Sequence, residues 1–538
     1  MTLSRGVSWV LFLGYFLVGV AVYRDYGISF DEPINRVNGI VSMQYVGEKL
    51  GVVAPNDEIP RLQTYYDRDY SVIFEIPLLI AEKALALNSD DKSRQLYQMR
   101  HLLTFLTFFV AVIFFYLTLF KVFKKQWMAW LGSLFLVLSP RIFAESFYNG
   151  KDIVCLAFFI ITTYFLLRFI QSYTLFNALC LGFFSAIAIN IRLTAVLIPA
   201  LAVCWAVIDV FTRHAQARQV LFSGLLYLLL TGIFTVAFWP FLWESPLSNF
   251  LYAFGSMSRF RFDMDVLFWG QRLPAPQLPR YYILGYAAIT TPLLYLGLGL
   301  WGMVLIVRDF VRAVPTFKRS LTNEQLRFQW TFLALLVAPF AAVIGLKSVL
   351  YDGWRQLYFV YGAFLVVAMY GLQGVVGLFA RFNTPMKWSA VGATALYACW
   401  IGLWMFQNHP YQNTYFNVLA PQPLEKKFDI DYWGLSYRQG LEWILANDKR
   451  PKIKVIANLP PGTHNLMMLR PEDKARLDCE YFKPAVRDTM KTDALRCDYF
   501  LTEFRYHSSP APFHRELHTI KADGHRILAI YDGRDLAH

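Results

Sequence analysis

The sequence predicts a multi-span α-helical membrane protein carrying a small C-terminal α/β domain on the non-cytoplasmic side. Three observations predict it. Apolar runs of about 20 residues, the length that crosses a bilayer, recur through the first three quarters of the chain. The 538 residues are 56% hydrophobic and 17% aromatic, with a mean hydropathy of +0.37 that soluble chains of this size rarely reach. Beyond Gln407 the composition turns polar, with short strand-like stretches. The apolar runs are continuous, not alternating. They are therefore expected to be helices, which satisfy their own backbone groups in hydrocarbon, and not strands of a β-barrel.

The expected spans are 7–23, 101–122, 127–140, 152–170, 175–190, 193–211, 219–241, 283–307, 328–347, 355–378 and 387–406, about eleven in all. The first run follows Arg5 and has no small-residue cleavage site before Arg24-Asp25. It reads as an anchor and not as a cleaved signal peptide. Val72–Leu87 is interrupted by Glu75, Pro77, Glu82 and Lys83, and reads as an interfacial helix in preference to a further span. The chain thus divides into a transmembrane unit, 1–406, with large outer loops at 24–100 and 242–282, and a polar unit, 407–538. In the second unit Tyr437–Ala446 has helical spacing. Lys452–Asn458, Asp498–Thr502 and Arg526–Tyr531 look like strands bounded by Pro, Gly and Asp.

Charge sets the direction. With the N-terminus in the cytoplasm, alternate short loops contain Lys121, Lys124 and Lys125, then Arg168, then Arg213 and Arg218, then Arg308, Arg312, Lys318, Arg319 and Arg327, then Arg381 and Lys387. That is the positive-inside pattern, and it places the C-terminal unit outside. It also accounts for the net charge of +13 without nucleic acid as a partner. Six cysteines are too few for a disulfide scaffold. Cys479 and Cys497 can pair if the tail is exported, and free thiols are an equal alternative.

Polar groups collect on the outer face. Arg24-Asp25-Tyr26-Gly27-Ile28-Ser29-Phe30-Asp31-Glu32-Pro33 follows the first span directly. Asp31 also suits the N-cap of a helix starting near Pro33. The segment Ser139–Asp152 brings Arg141, Glu145, Tyr148, Lys151 and Asp152 between two spans. Charges beside hydrocarbon are costly unless they reach water or one another. Snorkelling explains Arg141 and Lys151 better than it explains the acids. Lys347–Gln356 places Trp354 and Arg355 at the start of a span, Arg192 sits in a short turn, and Tyr66 lies in the first large loop. A carboxylate here can act as a base, and Arg or Lys can hold a phosphate and stabilise it as a leaving group. Tyr and Trp rings suit the flat faces of sugars and also ordinary interfacial belts.

With these segments placed, residues 1–410 resemble the GT-C superfamily of membrane glycosyltransferases. The protein O-mannosyltransferase and aminoarabinose-transferase group, glycosyltransferase family 39 and its neighbours, is the nearest likeness. It rests on Asp31-Glu32 in the first outer loop, on Ser139-Pro140 with Lys151-Asp152 in the second, and on the many spans. The resemblance implies a GT-C-like fold and transfer, usually inverting, from a polyprenyl-phosphate-linked sugar to an extracytoplasmic glycan, lipid or protein. The setting implied is the plasma membrane, a bacterial inner membrane. Asp31 takes the role of base, with Glu32 adjacent. Asp152 orients the acceptor or shares a magnesium or manganese ion with Asp31. Lys151 and Arg355, with Arg192 and Arg141 behind them, hold the donor phosphate. Tyr66, Trp354 and Tyr148 are candidates for sugar or acceptor contact.

Two departures put the acceptor in doubt. Tyr351–Gln356 stands where some relatives carry a His-Arg-Tyr-type element, and the tail does not resemble a β-trefoil. His409–Gln412 and Asp431–Gly434 either line the acceptor's path or, as the favoured reading, dock the tail on the membrane face. A secondary transporter is the alternative class, but its charges would sit near the midplane within repeats. A non-catalytic assembly protein is the third, and it would tolerate loss of Asp31.

Overall fold

The computed structural model describes residues 5–258, 262, 264–381, 384–481, 496–505 and 513–535. The helices of the first unit are α1 (Arg5–Val22), α2 (Glu32–Lys49), α3 (Glu75–Ala84), α4 (Ser93–Phe123), α5 (Gln126–Val137) and α6 (Pro140–Tyr148). They continue with α7 (Asp152–Gln171), α8 (Leu175–Ile191), α9 (Leu197–Thr212), α10 (Ala217–Phe238) and α11 (Pro246–Ser258). A hairpin of β1 (Asp265–Phe268) and β2 (Gln271–Pro274) precedes α12 (Tyr282–Thr290), α13 (Leu293–Ala313), the single turn α14 (Phe317–Ser320), α15 (Glu324–Leu346), α16 (Tyr361–Phe379) and α17 (Thr384–Gln407).

Among the described residues, eight helical segments are long and apolar enough to cross a membrane, and α5 with α6, bent by 66°, makes up to nine. The apolar helices at α1 and α8 are shorter. Every expected span falls on one of these segments, although α1, α5–α6 and α8 do not pass on length as single helices. Two expectations need correcting. The span expected at 283–307 breaks at Thr291-Pro292, because proline has no N–H and disfavours helical backbone before it; Thr291 is extended. The segment expected as an outer loop at 139–151 contains α6, every residue of which is buried.

Close packing holds the bundle together. Gly302 of α13 and Gly371 of α16 face one another so tightly that a Cβ on either would run into the carbonyl of Val367 or of Leu298. Such small-residue crossings let membrane helices gain dispersion contacts where no hydrophobic drive exists between them. At one end of the bundle Arg327 (α15) makes a bidentate pair with the buried Asp209 (α9), at 2.6 and 2.7 Å, and Tyr173 donates to the same carboxylate at 2.6 Å. This ties three elements by partners that leave no bare charge.

The other end carries the long connections. α3 is ten residues, about 15 Å, too short to cross. It is fastened by Glu75 to Arg100 of α4 and by Glu82 to Arg36 of α2. After α17 the chain forms α18 (Ser436–Asn447), β3 (Ile453–Ala457), β4 (Leu477–Tyr481), β5 (Tyr499–Thr502), β6 (Glu516–Ala522) and β7 (His525–Asp532). The five strands make one mixed sheet, ordered β4-β3-β5-β7-β6. β3 pairs parallel with β4 and β5, and β7 pairs antiparallel with β5 and β6. The expected helix and three strands lie at α18, β3, β5 and β7. β4 and β6 escaped expectation; β4, Leu-Asp-Cys-Glu-Tyr, does alternate, but it is five residues long and only Leu477 in it is buried. Cys479 and Cys497 are both free thiols.

The sheet unit is bound to the helical bundle by polar contacts. Arg438 donates to the carbonyls of Arg24 and Tyr26 at 2.6 and 3.0 Å. Asn465 accepts from the backbone of Ile28 at 2.9 Å, and His409 meets Asp25 at 2.9 Å. The sheet unit therefore packs on the segment that leads from α1 to Asp31.

Candidate active site

Asp31 occupies the N-cap position of α2, but its side chain makes no capping hydrogen bond. The adjacent Glu32 takes over the work at that turn. Its Oε2 accepts from the backbone N–H and hydroxyl of Ser29 at 2.7 and 3.0 Å, and Oε1 lies 3.0 Å from His101 Nε2. Asp31 is thus released to point elsewhere, and its Oδ2 accepts from Arg355 Nη1 at 3.0 Å.

The second acid arrives from the turn before α7. Asn149 accepts from the backbone N–H groups of Lys151 and Asp152 at 3.3 and 2.8 Å and so supplies the missing N-terminal partners of that helix. Its amide donates to Glu145 at 2.7 Å and to Asp152 at 3.2 Å. Asp152 is buried and engaged on both oxygens, by Arg192 on one and by Arg355 Nη1 at 3.1 Å on the other. Arg355 opens a 3₁₀ turn ahead of α16, so that it stands at the end of a span. Its guanidinium lies 5.0 Å from the Tyr351 ring and 4.7 Å from the Trp433 ring, and Nη2 donates to Asp352 at 3.3 Å. Asp352 and Gly353 both have positive φ, of 53° and 74°, a left-handed turn that glycine eases at the second position. Arg505, from the loop after β5, binds Asp352 from the other side and donates to the Tyr432 carbonyl at 2.8 Å.

A cavity of about 160 Å³ opens over this array. Asp31, Lys151, Arg192 and Arg355 line it together, with Asp69, Tyr70 and Tyr351. Apolar residues, among them Ile189, Leu193, Met257 and Leu350, complete the lining. Lys151 lies with its ammonium 3.5 Å from the Tyr70 ring centroid. Desolvation, with Arg192 next, holds that ammonium well below the usual lysine range. The lining thus combines three basic side chains, Lys151, Arg192 and Arg355, and two acids, Asp31 and Asp69, with apolar groups.

The remaining expected residues lie elsewhere. Glu32 faces His101 and is not a lining residue. Arg141 is buried and is not a lining residue, donating to the Tyr415 carbonyl at 3.0 Å with its guanidinium 4.7 Å from the Phe416 ring. Tyr148 is buried against Tyr26 and Trp433. Trp354 is buried and donates to Thr290 at 2.8 Å. Tyr66 is 65% exposed and is not a lining residue. The favoured docking reading of the post-span motifs fits His409, whereas Trp433 does more, covering the Arg355 guanidinium. Tyr70, Tyr351, Asp352 and Arg505 were not foreseen. Tyr70 and Tyr351 stood in segments already marked as outer, but Arg505 has no local signal at all.

The carboxylates as arranged do not suit a divalent cation. Such an ion needs several oxygen ligands, and both Asp31 and Asp152 are shared with guanidinium groups. Among the described residues no group of three or more acids, histidines or cysteines surrounds a common point.

A family model for dolichyl-phosphate-mannose-protein mannosyltransferases matches residues 95–239. That segment carries Ser139-Pro140, Lys151-Asp152 and Arg192. No curated protein matches the chain. Two solved structures of ArnT from Cupriavidus metallidurans cover 98% of this chain and 98% of their own. The apo form has 10% identity and a TM-score of 0.49, and the form bound to undecaprenyl phosphate has 12% and 0.46. The archaeal oligosaccharyltransferase AglB from Archaeoglobus fulgidus, with an inhibitory peptide and a dolichol-phosphate, covers 92% of this chain and 70% of its own, at 11% identity and a TM-score of 0.45.

Proposed function

We propose that this chain is a GT-C glycosyltransferase that moves a hexose or pentose from a polyprenyl-phosphate donor to an acceptor on the non-cytoplasmic side of a bacterial inner membrane. One observation carries the reading: Asp31, Lys151, Arg192 and Arg355, drawn from four separate segments, meet at one cavity whose lining also includes apolar residues. The family-model match over residues 95–239 supports it independently.

The chemistry follows from the charges. A donor phosphate in the cavity finds Lys151, Arg192 and Arg355 as cations, and its negative charge raises the proton affinity of the depressed Lys151 amine. As the bond from the sugar's anomeric carbon to the phosphate oxygen breaks, the developing charge falls on groups already in place. The phosphate competes with Asp31 for Arg355, which loosens Asp31 to accept a proton from the acceptor hydroxyl or amine as its oxygen or nitrogen bonds to the anomeric carbon. Base and leaving group act in one displacement, so the outcome is inversion without a sugar–enzyme bond. The apolar lining residues, such as Leu193, Met257 and Leu350, suit the first isoprene units. The short basic loops support a cytoplasmic N-terminus and hence an extracytoplasmic site.

The test is mass spectrometry of envelope glycans, lipids and glycoproteins from cells with the chain, without it, and with Asp31→Asn. A sugar residue missing from the same acceptor in the last two samples is the expected result. Identical profiles in all three overturn the proposal.

A further inference from the structure

A second cleft of about 270 Å³ lies between α2, the loop after it and α11. Its lining mixes aromatic rings, Tyr45, Phe241 and Tyr252, with the planar polar groups of Gln63, Arg68 and Glu244. Glu244 Oε1 accepts from Gln63 at 2.9 Å and Tyr45 at 3.3 Å, and Lys49 stands 3.7 Å away. Arg68 donates to the Tyr252 hydroxyl at 3.1 Å and lies 5.1 Å from that ring's centroid. Tyr252 remains 43% exposed and Glu244 has 47% of its side chain in solvent, so the cleft is open.

The position matters as much as the lining. Three chain segments run from this cleft into the cavity holding Asp31. Arg68 lines the cleft and Asp69 and Tyr70 line the cavity; Phe241 and Trp239 do the same; so do Tyr252 and Met257. An acceptor reaching Asp31 from this side passes over the cleft.

We propose that this cleft is a carbohydrate subsite, holding an acceptor glycan one or more sugar units away from the residue that is glycosylated. The inference deepens the glycosyltransferase reading and rests on it for the word acceptor. The lining suits a sugar: the exposed part of the Tyr252 ring can pack on C–H groups, while carboxylate, amide and guanidinium groups bridge neighbouring hydroxyls. A peptide acceptor would seek a sheet edge or apolar side-chain pockets, and no strand contributes to this lining. The lining is also too polar for a lipid chain.

The test uses the detergent-solubilised full chain on an array of immobilised bacterial oligosaccharides and control peptides. Wild type and Asp31→Asn should retain the same glycan class. Tyr252→Ala and the near-isosteric Glu244→Gln should each weaken retention about tenfold, as loss of a principal contact does. Gel filtration and thermal unfolding identify any variant that fails to fold, and Glu244→Gln keeps the test decisive if Tyr252→Ala does. Retention of no glycan, retention of peptides alone, or glycan retention unchanged in folded variants overturns the subsite. Tyr252- and Glu244-dependent retention with no sugar transfer from any polyprenyl-phosphate donor keeps the carbohydrate site and overturns the transferase reading instead.

Discussion

Arg355 Nη1 lies 3.0 Å from Asp31 Oδ2, so the proposed base of the reaction is ion-paired to a proposed phosphate ligand. The guanidinium occupies an oxygen that must be free to take the acceptor's proton. The pair is useful only if the donor breaks it. Asp31 has 29% of its side chain in solvent, so Asp31→Asn should fold and insert normally. Transfer should fall by a factor on the order of 10²–10⁴, the usual worth of a general base. Donor affinity should hold or rise, because Arg355 is no longer shared. Steady-state transfer assays with donor titration check both halves, and a variant with wild-type turnover removes Asp31 from the mechanism.

Arg355 behaves differently. It is 4% exposed and faces three acids. Arg355→Ala leaves buried Asp152 with one partner fewer and should cost about 3–5 kcal/mol of stability, the scale for breaking a buried pair. Arg355→Lys keeps the charge but loses the fork, so it should fold better and yet raise the donor KM. Thermal unfolding and donor titration on both variants separate the two roles.

How much of this was legible beforehand depended on distance along the chain. Lys151 and Arg355 stood out because each places a charge at the end of an apolar run, where it is costly without a partner, whereas Asp31 stood out through the family likeness of the Asp31-Glu32 pair. The same argument cannot say which way a side chain turns. Asp31 and Glu32 are neighbours at a helix start, and neighbours on a helix do not share a face. One reaches the cavity and the other caps Ser29 and meets His101. Arg505 was beyond reach, since its partner Asp352 is 153 residues away and no periodicity links a loop to a loop.

Glu32→Gln follows from that division. The carboxylate receives two hydrogen bonds from Ser29 and faces His101, all away from the cavity. Replacing it removes charge-assisted bonds and should cost about 1–3 kcal/mol. Turnover per folded molecule should stay within a few-fold of wild type, against orders of magnitude for Asp31→Asn. Thermal unfolding paired with active-site-normalised turnover distinguishes them. A collapse of turnover in folded Glu32→Gln would restore it to the chemistry.

Arg505 links the sheet unit to the site through Asp352, which in turn accepts from Arg355. The three form one buried chain of charges, and such chains are not additive. Arg505→Ala and Asp352→Asn should each raise the donor KM through the altered setting of Arg355. The double variant should be milder than the product of the two, with a coupling of about 0.5–3 kcal/mol. A double-mutant cycle on donor KM measures it, and simple additivity would show that the sheet unit is only docked.

His464 gives the sheet unit a pH signature. It packs edge-on to Phe30 at 6.4 Å, and burial pushes its imidazole down from the ordinary 6.5 to about 4, against a smaller opposing effect of Glu32. A group that binds its proton less well when folded stabilises the fold fully above its unfolded value. That contribution is then lost as pH falls from about 6.5 to about 4, because the unfolded chain takes up the proton first. At full effect it amounts to about 3 kcal/mol, at 1.36 kcal/mol per unit. Glu503 is buried with its carboxyl raised well above the usual range, and its contribution runs the opposite way. The histidine is therefore read as a difference. Wild type should lose more stability than His464→Gln between pH 7 and pH 4.5, measured by thermal unfolding in detergent. Parallel curves for the two proteins would mean that His464 is free to protonate in the folded chain.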